Sequence, residues 1–256
     1  MFIIREYIKY CSKAKRRHGI HSPFVYKFSD ECLSIKIPNY TKHEFSALKR
    51  NFLHHKESIT IQDFGAGSKK HGDQRTVKQI ARSSTSKTKD GRLLYQLATF
   101  YQPSRILELG TSLGLGTYML AAAHKNTQIT TVEGCPAIHQ LAKENFPSTL
   151  QHKVNFINQP FFEFLKNLKD EDIFDLVFID GDHRGEQLLQ QLELLSSHIH
   201  DETIIVLDDI RWTKDMLSSW EEIIKNSAYH LTIDLFEKGI IVLRRHQEKE
   251  HFAICW

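Results

Sequence analysis

Two short apolar runs in this sequence end on carboxylates, and a carboxylate at a strand end is well placed for chemistry. They are Phe174-Asp-Leu-Val-Phe-Ile-Asp180-Gly-Asp182-His183 and Ile204-Ile-Val-Leu-Asp208-Asp209. The interval from Asp180 to Asp208 is 28 residues, the length of one helical crossover. Carboxylates meeting at neighbouring strand ends suit a hard divalent cation such as Mg²⁺ or Ca²⁺, held by Asp180, Asp208 and Asp209, or a general base. The plainer reading is that these residues cap the helices that follow.

A third run, Arg105-Ile-Leu-Glu108-Leu-Gly110-Thr111-Ser112-Leu-Gly114-Leu-Gly116-Thr117, passes from a buried strand through a glycine-rich turn into a helix. Glycine lets the backbone approach a ligand closely, and the helix start presents free N–H groups. The glycines fall as G-x-x-x-G-x-G, whereas a dinucleotide fingerprint wants G-x-G-x-x-G, so a nicotinamide cofactor fits poorly. Glu133 ends the next apolar strand, 23 residues after Gly110, where a carboxylate can accept both ribose hydroxyls of a nucleoside.

The elements that must position these residues alternate after Gly91. Strands are predicted at Arg105–Leu109, Gln128–Glu133, Val154–Asn158, Leu176–Ile179 and Ile204–Leu207. Helices are predicted at Gly91–Tyr101, Gly114–His124, Ala137–Asn145, Phe161–Leu168, Gly185–Ser197 and Trp212–Asn226. Apolar strands separated by helices imply a doubly wound, mostly parallel α/β sheet covered on both faces. His230–Arg245 has no room for a helix and reads as an antiparallel hairpin turning at Glu237-Lys238-Gly239, for seven strands in all. Before Gly91 the chain reads as three helices, the second opened by Ser22-Pro23 and the third spanning His43 to Lys56. Gln62 to Asp90 is polar and basic, and suits a mobile loop or lid. The division expected is a helical extension over 1–90 and a cofactor-binding domain over 91–256.

Composition narrows the classes further. The 256 residues are 41% hydrophobic and 25% charged, ordinary for a globular protein and too apolar for a disordered one. No run of 18 apolar residues exists, and Arg5, Glu6 and Lys9 interrupt the N-terminus where a signal peptide needs an apolar core, so a cytoplasmic protein is expected. Cys11, Cys32, Cys135 and Cys255 show no C-x-x-C spacing, which argues against a zinc site or a disulfide framework. The net charge of +3 is unevenly spread: residues 1–93 hold 20 Lys and Arg against 8 Asp and Glu, and residues 94–256 hold 14 against 23. A basic layer facing something anionic is one reading, and a solvated face is the other.

Taken in order, Glu108-Leu-Gly110-Thr-Ser112-x-Gly114, Glu133, Ile179-Asp180-Gly-Asp182-His183 and Asp208-Asp209 resemble the class I S-adenosylmethionine-dependent methyltransferases. Within these the likeness is to the small-molecule O-methyltransferases of the catechol and caffeoyl-CoA type, and it covers about residues 85–245. The resemblance implies a Rossmann-like sheet and S-adenosyl-L-methionine as cofactor. It implies that Gly110 and Ser112 lie along the methionine part with Gly116 near the helix start, that Glu133 holds the ribose, that Phe161 flanks the adenine, and that Glu108, Thr111 and Gly134 are also cofactor-binding residues. It further implies that Asp180 faces both the cofactor and a metal completed by Asp208 and Asp209. His183 stands where metal-dependent relatives often carry a catalytic lysine, and an imidazole can take a proton near neutral pH. His183 and Asp180 are therefore the candidate catalytic residues. Asp209 stands where those relatives have asparagine. The RRHGIHSPFVY segment is similar to that of bacterial methyltransferases of like layout.

The expected acceptor is a small molecule, aromatic or acidic, with an anionic one suited to the basic layer and a homodimer left open. A nucleic-acid acceptor would use the basic layer to track phosphates, but no base-methylation motif or aromatic-basic stacking pattern accompanies it. A protein that binds the cofactor without turnover is the remaining alternative. Asp63-Phe-Gly-Ala-Gly-Ser68 imitates a glycine motif but is followed by Lys69-Lys70-His71 and not by an apolar helix, so it is read as a turn. Arg16, Arg17, His18 and His21 form a further cluster able to meet an anion.

Overall fold

A computed structural model describes residues 2–15, 19–61, 74–83 and 88–256. The Asp63–Ser68 turn and the Arg16, Arg17 and His18 members of the basic cluster lie outside these; His21 is described and exposed. The chain forms two compact units, one of residues 1–34 with 168–256 and one of 35–167. The boundary expected near residue 90 falls inside the second unit.

The first unit opens with α1 (Phe2–Lys13) and α2 (Pro23–Lys27), followed by one π-helical stretch at Phe28–Cys32. Ser22 precedes α2 with Pro23 at its first turn, as the Ser-Pro pair predicts, although the Ser22 side chain makes no capping bond. This N-terminal segment is stitched to the chain's other end: Lys15 N–H donates to Ala253 O at 2.8 Å, and the Tyr10 hydroxyl donates to Ile254 O.

The second unit contains α3 (Asn39–His54), a hairpin of β1 (Ser58–Thr60) and β2 (Gln74–Thr76), α4 (Val77–Ser83) and α5 (Thr88–Tyr101). Its sheet alternates with helices: β3 (Arg105–Leu109), α6 (Leu115–Ala123), β4 (Gln128–Glu133), α7 (Pro136–Asn145), α8 (Ser148–Gln151), β5 (Val154–Asn158) and α9 (Phe161–Lys166). Strands β3, β4 and β5 run parallel in that order, with Leu109 opposite Val132 and Glu133 opposite Asn158. Leu107, Leu109, Val132 and Leu120 are fully buried, which follows from an apolar strand sandwiched by apolar helices. The lid expected over Gln62–Asp90 is corrected here for residues 74–83. They form a strand and a helix that bury Val77, Ile80 and Ala81, apolar residues at helical spacing that the polar surroundings conceal.

The first unit resumes with β6 (Phe174–Ile179), α10 (Gly185–Leu195), β7 (Ile199–Leu207), α11 (Lys214–Lys225), β8 (Leu231–Asp234), β9 (Gly239–Val242) and β10 (Glu250–Ala253). β6 and β7 are parallel, β9 is antiparallel to both β7 and β8, and β10 adds parallel to β8. The strands are those of a mostly parallel, Rossmann-like α/β fold: the first unit carries five, β6 to β10, and the second the parallel β3 to β5, one more than the seven expected. The additional one, β10, follows the charged Arg244–Lys249 stretch and is too short and polar to announce itself. Among the described residues no helix is long and apolar enough to cross a membrane.

Candidate active site

In the second unit the glycine-rich turn takes the shape its sequence demands. Gly110 (φ 109°) and Gly114 (φ 73°) are left-handed, as is Ser112 at φ 47°. The turn is pinned to β4, where Val132 O accepts from Gly110 N–H (2.9 Å) and Thr111 N–H (3.2 Å). Glu133 fastens its tip: Oε2 accepts from Ser112 N–H at 3.0 Å and Oε1 from Cys135 N–H at 3.0 Å. Burial raises the Glu133 pKa, and these backbone donors act against that rise. Each oxygen keeps lone-pair capacity for a further donor. Gly114 precedes α6 at the N-cap position and makes no side-chain capping bond to its first turn. Phe161 begins α9 and is half-buried.

Glu108 lies on β3 beneath the turn, almost wholly buried. Its Oε2 accepts from the Thr117 hydroxyl (2.5 Å) and the Thr131 hydroxyl (2.7 Å). Thr131 has spent its proton there, so the Thr111 hydroxyl 2.6 Å away is the donor to Thr131. Glu108 Oε1 is buried with no partner among the described residues, and burial pushes the carboxyl up to about 7. The acid thus braces β3, β4 and α6 from within. Asn158 was not singled out by the sequence. Its side-chain amide donates to Glu133 O (2.7 Å) and Gly134 O (3.1 Å), fixing the loop that carries Glu133. Its position at a strand end, matching Glu133 across the ladder, is the signal that could have found it.

In the first unit the ends of β6 and β7 lie side by side. Asp208 N–H donates to Ile179 O at 2.9 Å, so Asp180 and Asp208 leave adjacent parallel strands together. Neither Asp208 nor Asp209 caps the following helix: Thr213 does, accepting from Met216 N–H at 3.0 Å. Asp208 Oδ1 instead accepts from its neighbour Asp209 N–H (2.5 Å) and from the Lys238 ammonium. Asp182 (φ 49°) is clasped by the Arg184 guanidinium.

His183 Nε2 stands 3.9 Å from Asp209 Oδ2, with the imidazole 25% and the carboxylate 34% exposed. Burial and the Asp208 charge push Asp209 up to about 6. The His183 ring lies 6.0 Å, centroid to centroid, from the ring of Trp212, which is 64% exposed. Trp212 was expected at the start of a helix; it precedes α11, held by its N–H to Asp209 O at 2.8 Å.

The resemblance implied a divalent-cation site at Asp180, Asp208 and Asp209. Among the described residues no group of three or more His, Cys, Asp or Glu side chains is placed to hold a metal ion. Lys238, whose side chain is only 5% exposed, is ion-paired with Asp208. A metal bound to Asp208 Oδ1 would compete with that ammonium for the same oxygen.

Residues 107–210 match a sequence family described as a methyltransferase domain. Solved structures with the same fold include an O-methyltransferase from Bacillus cereus in complex with S-adenosylhomocysteine, at 17% identity and a TM-score of 0.54 over 82% of this chain and 93% of that one. TomG, an O-methyltransferase from Streptomyces achromogenes bound to S-adenosylmethionine, aligns at 16% identity and a TM-score of 0.55 over 86% and 94%. The S-adenosylhomocysteine-bound methyltransferase PaMTH1 from Podospora anserina aligns at 16% identity and 0.53 over 82% and 97%. Identities this low speak for the fold, and the matched family speaks for the domain. Over residues 107–210 the chain is therefore similar to methyltransferase domains, and its fold is the one that these solved methyltransferases share.

Proposed function

We propose that this chain transfers the methyl group of S-adenosylmethionine to an oxygen of a small acceptor carrying an aromatic ring. The bound cofactor would supply a methyl already made electrophilic by its sulfonium. The left-handed turn at Gly110–Gly114 supports a cofactor seat there, with the backbone of Gly110, Thr111, Ser112 and Gly116 beside the methionine part. Thr111 contributes through its backbone, because its hydroxyl belongs to the Glu108 network. In this reading Glu133, held by two backbone donors, accepts the ribose hydroxyls with its remaining lone pairs, next to Gly134. Phe161 takes the adenine.

The observation that carries the acceptor class is His183 beside the exposed Trp212. Trp212 offers a ring face to an aromatic acceptor. His183 removes the hydroxyl proton, and Asp209 at 3.9 Å stabilises the imidazolium that results. Solved neighbours described as O-methyltransferases agree with oxygen as the acceptor atom.

The test is transfer from methyl-labelled S-adenosylmethionine to a panel of phenols and aromatic acids, with products read by NMR. An O–CH₃ product, and a fall of at least tenfold in kcat for His183→Ala, are expected. Label found only on nitrogen, carbon or nucleic acid would overturn the reading.

A further inference from the structure

We infer that Lys238 is this protein's own substitute for a divalent cation, a buried ammonium standing where Asp208 would otherwise meet a metal. The inference rests on the methyltransferase reading above.

Lys238 is a built feature of the fold. It ends the turn between β8 and β9, and that turn is fixed from several sides. The Arg211 guanidinium grips both oxygens of Asp234 (2.9 and 2.6 Å) and donates to Phe236 O at 2.6 Å. Asp234 Oδ1 accepts from Phe236 N–H at 2.8 Å, and Trp220 Nε1 donates to Asp234 Oδ2 at 3.3 Å. Arg211 also lies 5.1 Å from the Phe236 ring centre. Gly239 lets the chain pass the Trp220 ring, since a Cβ there would come within 2.7 Å of it.

So held, the Lys238 ammonium reaches Asp208 from the interior, with 5% of the lysine side chain and 11% of the aspartate exposed. Its charge also bears on Asp209, where it opposes the upward push from Asp208. One fixed cation therefore acts on both carboxylates, the task a divalent ion would perform at this strand edge. Because the ammonium is interior, it acts through Asp208 and not on an acceptor. Lys238 is a positioning residue.

Mn²⁺ binding to the full chain, read by electron paramagnetic resonance, tests this, with S-adenosylhomocysteine titrated calorimetrically into the same samples. The wild type should show no stoichiometric Mn²⁺ site up to millimolar metal. Lys238→Ala should gain one at least tenfold tighter, and Lys238→Ala/Asp208→Asn should lose it again. Should Lys238→Ala melt too low for titration, Mn²⁺ should raise its Tm and leave that of the wild type unchanged. A stoichiometric micromolar Mn²⁺ site in the wild type that Asp208→Asn removes would overturn the inference. So would a Lys238→Ala protein that responds to Mn²⁺ no more than the wild type does. Loss of S-adenosylhomocysteine binding with the Mn²⁺ results as expected would fault the cofactor reading and leave the lysine inference standing.

Discussion

Replacing Glu108 by Gln should change how stability depends on pH, and the size of the change follows from burial. The Glu108 carboxyl is raised from its ordinary 4.5 to about 7, chiefly because it is fully buried, while the Thr117 and Thr131 hydroxyls oppose the rise. At 1.36 kcal/mol per unit, that gap is worth about 3 kcal/mol. The sign follows from proton counting. Between 4.5 and 7 the folded state holds a proton that the unfolded chain has released, so stability falls as pH rises through this window. Below 4.5 both states are protonated and no penalty applies; above 7 the full penalty of a buried charge is present. Glutamine is a neutral stand-in for the protonated acid, and its carbonyl can accept from both threonines. Relative to the wild type, Glu108→Gln should therefore gain roughly 2–3 kcal/mol between pH 5 and pH 8. For a chain of this size that corresponds to a Tm difference widening by about 5–10 °C. Calorimetric melts of both proteins without cofactor, at pH 5 and pH 8, measure it. A Tm difference that is the same at both values would refute the reasoning.

Gly239→Ala should destabilise by about 1–3 kcal/mol, because a Cβ would meet the Trp220 ring at 2.7 Å; an unchanged denaturation midpoint would show that the ring gives way freely. Arg211→Met leaves Asp234 buried without its cation and should cost about 3–5 kcal/mol by urea unfolding, whereas removing both charges with Asp234→Asn as well should recover part of the loss. Gly185→Ala should also destabilise, since its Cβ would come within 2.9 Å of Asp215 O and closer still to the Ser219 hydroxyl; thermal melting checks it, and no change in Tm would mean that α10 and α11 can part at no cost.

The glycine turn and the strands around it were legible because local rules and tertiary structure agree there. β3, β4 and β5 fall on the predicted residues, and Gly110 and Gly114 adopt the backbone that only glycine takes easily. Legibility failed where long-range partners decide. Lys238 reads as an ordinary turn lysine, and nothing within its neighbourhood tells that Asp208, thirty residues earlier, will claim it. Asp208 and Asp209 invite a metal or a helix cap for the same reason: the sequence displays their charge without displaying the ammonium that answers it. The role of Glu133 is shared between what the spacing suggests and what it hides, since its carboxylate also fastens Ser112 and Cys135. β10 escaped notice because its pairing with β8 is supplied by the sheet and not by its own alternation.

The central claim, a cofactor seat built from the Gly110–Gly116 turn and Glu133, is tested most directly by calorimetric titration of S-adenosylhomocysteine into the wild type and Glu133→Ala. The account expects one site per chain in the wild type. In the variant, loss of the charged acceptor should weaken binding by about 1.5–3 kcal/mol, roughly tenfold to a hundredfold. A folded wild type that binds neither S-adenosylhomocysteine nor S-adenosylmethionine, or a variant that binds with undiminished affinity, would contradict it.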